Sequence, residues 1–145
     1  MSTPLLLESI SIGRLLARAA VTVDPEPAHV VGTGGAIGAI LRYWVSQRVS
    51  SGASSERFPL ATFVVNVVGS FVFGLAVFAG AGESAIRLVG TGICGSFTTF
   101  SSFSVETLWL YERGDRALAV GNAAANLACS LAAIGLAWGL VAVAL

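Results

Sequence analysis

Four long runs of apolar residues, separated by short polar stretches, dominate the sequence after residue 28. They cover residues 30–49, 60–81, 85–111 and 118–145. Each reaches the length of about 20 residues that an α-helix needs to cross a bilayer. The runs do not show the alternation with a period of two that a membrane β-barrel requires. The pattern therefore predicts an all-α membrane protein with four transmembrane helices.

The first 28 residues follow a different pattern. Their apolar residues are interrupted by charged ones, and the segment ends close to Pro25 and Pro27. None of its apolar stretches is long enough to span a bilayer. The segment also lacks the basic start and apolar middle of a secretory signal. We expect residues 1–28 to form an N-terminal leader, as an amphipathic interfacial helix, a disordered segment or sequence upstream of the true start. Residues 29–145 then form the four-helix domain.

Composition supports lipid as the solvent and excludes several classes of protein. Hydrophobic residues make up 55% of the chain and charged residues 11%, whereas a soluble domain has about 25% charged residues. The eight basic residues are all arginine and are scattered along the chain, which argues against a nucleic-acid partner. With one histidine and no lysine, the chain offers few catalytic bases, so we expect no enzyme.

The arginines give only a weak preference for one orientation. Four crossings place three arginines on the side of the two termini and four on the other side. Without the leader the count becomes one against four, which would favour a fixed orientation. For the full chain, the near balance permits insertion both ways up.

Polar residues inside the apolar runs mark candidate functional positions, because they are costly in lipid. In the first run, Arg42 follows Gly34 and Gly38, whose spacing allows close helix packing. Two interpretations of Arg42 remain open. Its guanidinium either extends to the headgroups or attracts anions at a vestibule.

The second and fourth runs carry amides near the middle of the membrane. Asn66 lies in the second run, with Ser70 on the same helical face. Asn122, Asn126 and Ser130 are spaced by four and form one polar stripe on the fourth. Such residues either join helices by hydrogen bonds or line a pore. A stripe without a carboxylate favours an anion path.

The third run combines glycines at 90, 92 and 95 with a hydroxyl-rich segment that contains Thr98, Thr99, Ser101 and Ser104. This composition is a poor continuous helix. A broken membrane helix exposes carbonyls that can bind a hard cation and amides that favour an anion. Phe100 and Phe103 share one face, and Glu106 follows. A glycine-rich packing helix with two core phenylalanines is the alternative.

Three motifs resemble the Fluc (CrcB) fluoride channels. Residues 34–43 are similar to the family's Gly-Gly-x-x-Gly-Ala-x-x-Arg-Tyr, and residues 66–69 to its Asn-x-x-Gly. Residues 95–103 resemble its Gly-Gly-x-Thr-Thr-Phe-Ser-Thr-Phe signature, which is the most specific of the three. The resemblance covers residues 32–135. Ser96 departs from the second Gly of the signature, and Ala61 replaces a Gly usual before the second-helix Thr.

The resemblance implies a fluoride-selective channel that exports cytoplasmic fluoride passively across the cell membrane as a multi-pass protein. It also implies an antiparallel dual-topology homodimer with two pores at its interface, although some members pair two related chains. A structural sodium ion would be held at the centre by the main-chain carbonyls of Gly95 and Thr98 in each subunit. Fluoride would be bound along the broken third helix and the polar stripes.

The residues that the resemblance assigns to the fluoride pathway are Asn66, Thr99, Phe100, Ser101, Phe103, Asn122, Asn126 and Ser130. Arg42 and Glu106 match family positions with a vestibule or structural role that stays open. Asn122 occupies a position that can be aromatic elsewhere in the family.

Two other classes of protein compete with a channel. Small multidrug antiporters also have four helices, but they need an acidic residue in the first membrane helix, where this chain has Arg42. A non-transporting assembly subunit would leave the polar stripe and the glycine-rich segment without a use.

Overall fold

The computed structural model of the chain describes residues 25–50 and 58–144. These residues form helices and contain no strand, which confirms the all-helical prediction. Residues 1–24, which hold most of the predicted leader, lie outside the described residues. The helices are α1 (Pro25–Ser50), α2 (Leu60–Phe78), α3 (the consecutive stretches Glu83–Ala85, Ile86–Cys94 and Gly95–Phe97), α4 (Phe100–Glu112) and α5 (Arg116–Ala144).

Helix α1 begins before the predicted span. Pro25 is its first residue, a position where the missing N–H of proline costs nothing and its fixed φ suits the helix. The predicted boundary between residues 28 and 29 therefore falls inside a helix.

Short turns join α2 to α3 and α4 to α5. Each turn contains a glycine with positive φ, Gly80 at 68° and Gly114 at 89°.

The third span is interrupted at Thr98 and Thr99. Both residues are extended, with φ and ψ of −78° and 161° at Thr98 and −150° and 118° at Thr99. The interruption lies after the glycines and not among them, because the stretch Ile86–Cys94 is a π-helix. We call residues 98–99 the helix break.

Glycines of α1 allow α1 and α3 to approach closely. A Cβ on Gly38 would overlap the Ile93 carbonyl oxygen and Ser96 Oγ. Ser96 Oγ donates to the carbonyl oxygen of Gly35 at 2.8 Å. The serine that departs from the family signature therefore joins the third span to the first by a hydrogen bond.

The described helices expose many large apolar side chains. By length and composition, α2 and α5 are each able to cross a membrane. Large apolar side chains point outwards along the helices, which suits lipid or another subunit and not water. Examples are Ile40, Val120, Leu127, Leu131 and Trp138. This surface and the length of the two helices agree with the predicted membrane protein.

Replacement of Gly38 by alanine tests the close packing of α1 on α3. We expect Gly38→Ala to destabilise the protein by about 1–3 kcal/mol, because the neighbouring carbonyl belongs to the backbone and cannot turn away. Thermal unfolding of the purified protein in detergent measures the effect. The matched control is Gly35→Ala, whose Cβ meets no atom within 4 Å. Equal unfolding temperatures for the two variants would contradict the packing seen here.

Candidate functional site

A cavity of about 550 Å³ opens beside the helix break, between α2, α4 and α5. Ser70 and Thr98 contribute to its wall. It brings together six of the residues predicted for the ion pathway: Asn66, Thr99, Phe100, Phe103, Asn126 and Ser130.

Asn66 binds both backbone groups of Thr99. The Thr99 N–H donates to Asn66 Oδ1 at 2.8 Å. Asn66 Nδ2 donates to the Thr99 carbonyl oxygen at 3.2 Å. An extended residue inside a membrane thus has both its polar backbone groups satisfied by one side chain. The amide of Asn66 therefore holds α2 against the helix break.

Asn66, Asn126 and Asn122 form a chain of hydrogen bonds that we call the amide ladder. Asn66 Nδ2 donates to Asn126 Oδ1 at 3.0 Å. Asn126 Nδ2 donates to the side-chain and main-chain oxygens of Asn122 at 2.9 and 3.1 Å. Asn122 Nδ2 donates to Thr107 Oγ1 at 2.8 Å. The ladder connects the helix break to α5 and then to α4.

Two residues predicted for the pathway lie outside the cavity wall. Asn122 is fully buried, with 0% of its surface exposed, because Thr107 of α4 covers the face of α5 on which it lies. Ser101 is exposed at the start of α4, with its Oγ 3.2 Å from Thr99 Oγ1. Thr99 also caps α4, since its Oγ1 accepts a hydrogen bond from the Ser102 N–H at 3.2 Å.

The two predicted pathway phenylalanines lie side by side. The ring centroids of Phe100 and Phe103 are 5.6 Å apart, and the rings are tilted by 46°. Phe100 is 79% exposed as the first residue of α4, whereas Phe103 is partly buried. A large apolar side chain with this exposure is stable only if lipid or a second subunit covers it.

A second cavity extends the first one along α4 and α5. It measures about 450 Å³ and shares Phe103 and Ala123 with the first. Its wall continues through Thr107 to Tyr111 near the end of α4. We call the two cavities together the groove. Its wall contains no charged side chain.

Arg42 and Glu106 contribute to neither cavity. Arg42 is partly buried on α1. It forms no ion pair with a described residue, and the ion pair found within the described ranges joins Arg87 and Glu83. Glu106 Oε1 accepts a hydrogen bond from Thr62 Oγ1 at 2.9 Å. Its Oε2 is buried and has no partner among the described residues.

Sequence reasoning did not single out Thr62, although a signal was present. Thr62, Asn66 and Ser70 are spaced by four on α2, which is the same rule that identified the stripe on the fourth run. Thr107 was also missed, since a lone threonine on an amphipathic helix gives no signal of its own.

Gly95 and Thr98 suit a hard cation by the chemistry of their carbonyls. In a continuous helix, the Thr99 N–H would bond to the Gly95 carbonyl oxygen, but it donates to Asn66 instead. Gly95 is exposed, and both residues border a smaller cavity of about 240 Å³. Neutral carbonyl oxygens bind hard cations. No cluster of three His, Cys, Asp or Glu side chains offers a competing site within residues 25–50 and 58–144.

The chain matches the model of the family described as CrcB-like protein, Camphor Resistance (CrcB), over residues 29–139. It is 56% identical over 116 residues to the fluoride-specific ion channel FluC 2 of Haloarcula marismortui, which covers 80% of this chain and 94% of that protein. Fluoride-specific ion channel FluC 1 of Halobacterium salinarum is 46% identical over the same shares. The FluC protein of Gloeobacter violaceus is 42% identical over 72% of this chain and 86% of its own length.

Asn122 offers a test of the amide ladder. We expect Asn122→Ala to lower stability by about 1–3 kcal/mol, because a buried hydrogen of Asn126 loses its side-chain acceptor. The control is Ser130→Ala on the same helix. The Ser130 hydroxyl bonds to no described residue, so its loss should change stability by no more than about 0.5 kcal/mol. Thermal unfolding in detergent compares the two, and an undisturbed Asn122→Ala protein would argue against the ladder.

Proposed function

Since the chain belongs to the CrcB family, we propose that it is a fluoride-selective channel that exports cytoplasmic fluoride passively. Membership in a family of channels also agrees with the prediction that the chain is not an enzyme. The observation that carries the proposal is the uncharged groove at the helix break, where the paired phenylalanines lie among hydroxyl groups. We expect it to lie in the cell membrane as a multi-pass protein, since each apolar run is long enough to cross a bilayer.

The lining of the groove suits a small anion. Fluoride gives up strongly bound water only to groups that donate hydrogen bonds in its place, and the wall carries hydroxyl groups. A phenylalanine ring has a positive edge. The edges of Phe100 and Phe103 can therefore stabilise an anion, and they offer a cation no attraction. Several weak sites in sequence let the ion enter and leave.

Two copies in antiparallel orientation would complete the channel. One chain supplies a groove open on one side, with Phe100 exposed at its edge. A second copy laid against this side would supply the missing wall and would shield the phenylalanine from lipid. By symmetry such a pair contains two pores. The near balance of arginines supports insertion both ways up. Pairing with a related chain is the alternative to a homodimer.

A structural sodium ion would fit between the two helix breaks. Carbonyl oxygens of Gly95 and Thr98 from each copy would hold it, since the Gly95 carbonyl has lost its helical donor to Asn66. When bound, the cation would supply a central positive charge that joins the two breaks. The chain's own contribution is to keep those carbonyls out of helical hydrogen bonds.

A multidrug antiporter fits the chain less well than a channel. The predicted first span, residues 30–49, contains Arg42 and no acidic residue that could exchange a proton for a cationic drug. Glu106, the acid within the predicted third span, bonds to Thr62 and lies outside the groove.

Efflux from liposomes tests the proposed function. Reconstituted protein should release fluoride passively when potassium is allowed to follow, as measured with a fluoride electrode. Chloride and a cationic drug, tested in the same preparation, should not be carried. Drug uptake driven by a proton gradient would identify an antiporter, and absence of all three fluxes would leave the assembly-subunit hypothesis standing.

Phe100 is the residue to replace within the groove. We expect Phe100→Ile to slow fluoride efflux by about tenfold or more, because the aromatic edge is lost while the side chain stays apolar. Phe78→Ile is the matched control, since Phe78 is an exposed phenylalanine at the end of α2 that lines neither cavity of the groove. Normal efflux through Phe100→Ile would show that the ring has no part in conduction.

Removal of sodium tests the cation site and the dimer together. We expect exchange of sodium for N-methyl-D-glucamine to reduce the fraction of dimer and the unfolding temperature, because carbonyls of the two breaks would face each other without a cation. Mass measurement in detergent and thermal unfolding are the readouts. The same dimer and the same unfolding temperature in both salts would contradict a sodium site.

A further inference from the structure

The hydroxyl of Ser96 lies between the third span and the first. It donates to the Gly35 carbonyl oxygen of α1 at 2.8 Å. The carbonyl oxygens of Gly92 and Ile93, which belong to its own span, lie 2.9 and 3.3 Å from the same Oγ. A serine hydroxyl in a helix often bonds only to the main chain one turn earlier. Here the bond to α1 is the shortest of the three, so the side chain joins two helices.

A glycine of α1 provides the space for this hydroxyl. A Cβ on Gly38 would overlap Ser96 Oγ, so any larger residue at position 38 would displace the serine side chain. Ser96 is partly buried in this contact. The signature that residues 95–103 resemble has glycine at the position of Ser96, and a glycine has no hydroxyl to donate. The hydrogen bond is therefore a feature of this chain and not of the signature.

Ser96 belongs to the same peptide unit as the Gly95 carbonyl. The atoms from the Cα of Gly95 to the Cα of Ser96 lie close to one plane, because the peptide bond has partial double-bond character. A bond that holds Ser96 against α1 therefore restricts the direction of the Gly95 carbonyl. This is the carbonyl that lacks its helical donor, since the Thr99 N–H donates to Asn66.

The Thr98 carbonyl is restrained in the same way, but from another helix. It shares a peptide unit with the Thr99 N–H, which donates to Asn66 Oδ1 at 2.8 Å. The peptide bonds of the described residues are trans, so the Thr98 carbonyl points away from Asn66. Each of the two carbonyls proposed for the cation thus belongs to a peptide unit with a bond to a neighbouring helix. One bond leads to α1 and the other to α2.

We infer that Ser96 is a positioning residue for the sodium site, an inference that deepens the proposed function and rests on it. Its hydroxyl is committed to α1 and does not itself bind the ion. It holds the Gly95 carbonyl in place before the ion arrives, so less order has to be imposed on binding. Residues that orient the ligands of a metal raise its affinity without touching it. Sodium therefore binds more tightly to this chain than to the same chain without the hydroxyl.

A sodium titration of Ser96→Ala tests this role. Sodium replaces N-methyl-D-glucamine at constant ionic strength, and the unfolding temperature of the protein in detergent is the readout. We expect the sodium concentration that gives half of the stabilisation to rise by about tenfold, because the Gly95 carbonyl is no longer held in advance. Ser96→Gly, which introduces the residue of the signature, should give a rise of at least the same size.

Gly74→Ala is the control for a loss of stability alone. A Cβ on Gly74 would lie 2.9 Å from the Cβ of Ala137, within the packing of α2 on α5. This variant should unfold at a lower temperature in both salts but keep the wild-type sodium concentration. The wild-type concentration in both Ser96 variants would overturn the inference. An unfolding temperature of the wild-type protein that does not depend on sodium would refute the proposed sodium site itself.

Discussion

The structure depends on how a helix can be interrupted inside a membrane. Lipid offers no hydrogen bonds, so each unpaired backbone group at a break costs several kcal/mol. Here the cost at Thr99 is offset by Asn66, which provides an acceptor for its N–H and a donor for its carbonyl. An asparagine does this better than the other polar side chains of the spans, because its amide has the same two functions as a peptide group. The break is thus stabilised by a residue on another helix, 33 positions away along the chain.

This contact has consequences on both sides of the break. On one side, it removes the donor that the Gly95 carbonyl would have in a helix, which leaves an oxygen suited to a cation. On the other side, it orients Phe100, the next residue, into the first turn of α4 and onto the edge of the groove. The proposed cation site and the proposed anion path are therefore shaped by the same hydrogen bonds. The amide ladder continues these hydrogen bonds to α5, so it joins a second wall of the groove to the break.

Hydrophobic runs and motifs predicted the helices and most of the groove, since both depend on local sequence. The place of the interruption was harder to predict. The glycines at 90, 92 and 95 and the hydroxyl-rich segment after them predicted a poor continuous helix without fixing the residue at which it breaks. Gly90 packs against Phe73 and Gly92 against Gly34, and this stretch remains helical. Asn122 and Asn126 belong to one stripe, yet only Asn126 reaches the cavity, because Thr107 of α4 covers Asn122. These distinctions arise from neighbours on other helices, which a periodic pattern in one helix does not reveal.

The placement of the charged residues agrees with the proposed fluoride path, in which the ion passes without being trapped. An arginine in the wall would bind fluoride strongly through a full charge in a medium of low dielectric constant, and the ion would leave slowly. A carboxylate in the wall would repel it. Arg42 is on α1, and Glu106 is turned towards Thr62 on α2, so both side chains lie outside the groove. What remains is a wall of hydroxyls and ring edges, whose partial charges would compensate for lost hydration in the proposed channel. In the proposed channel, discrimination against cations would follow from the direction of these dipoles, without a fixed charge in the wall.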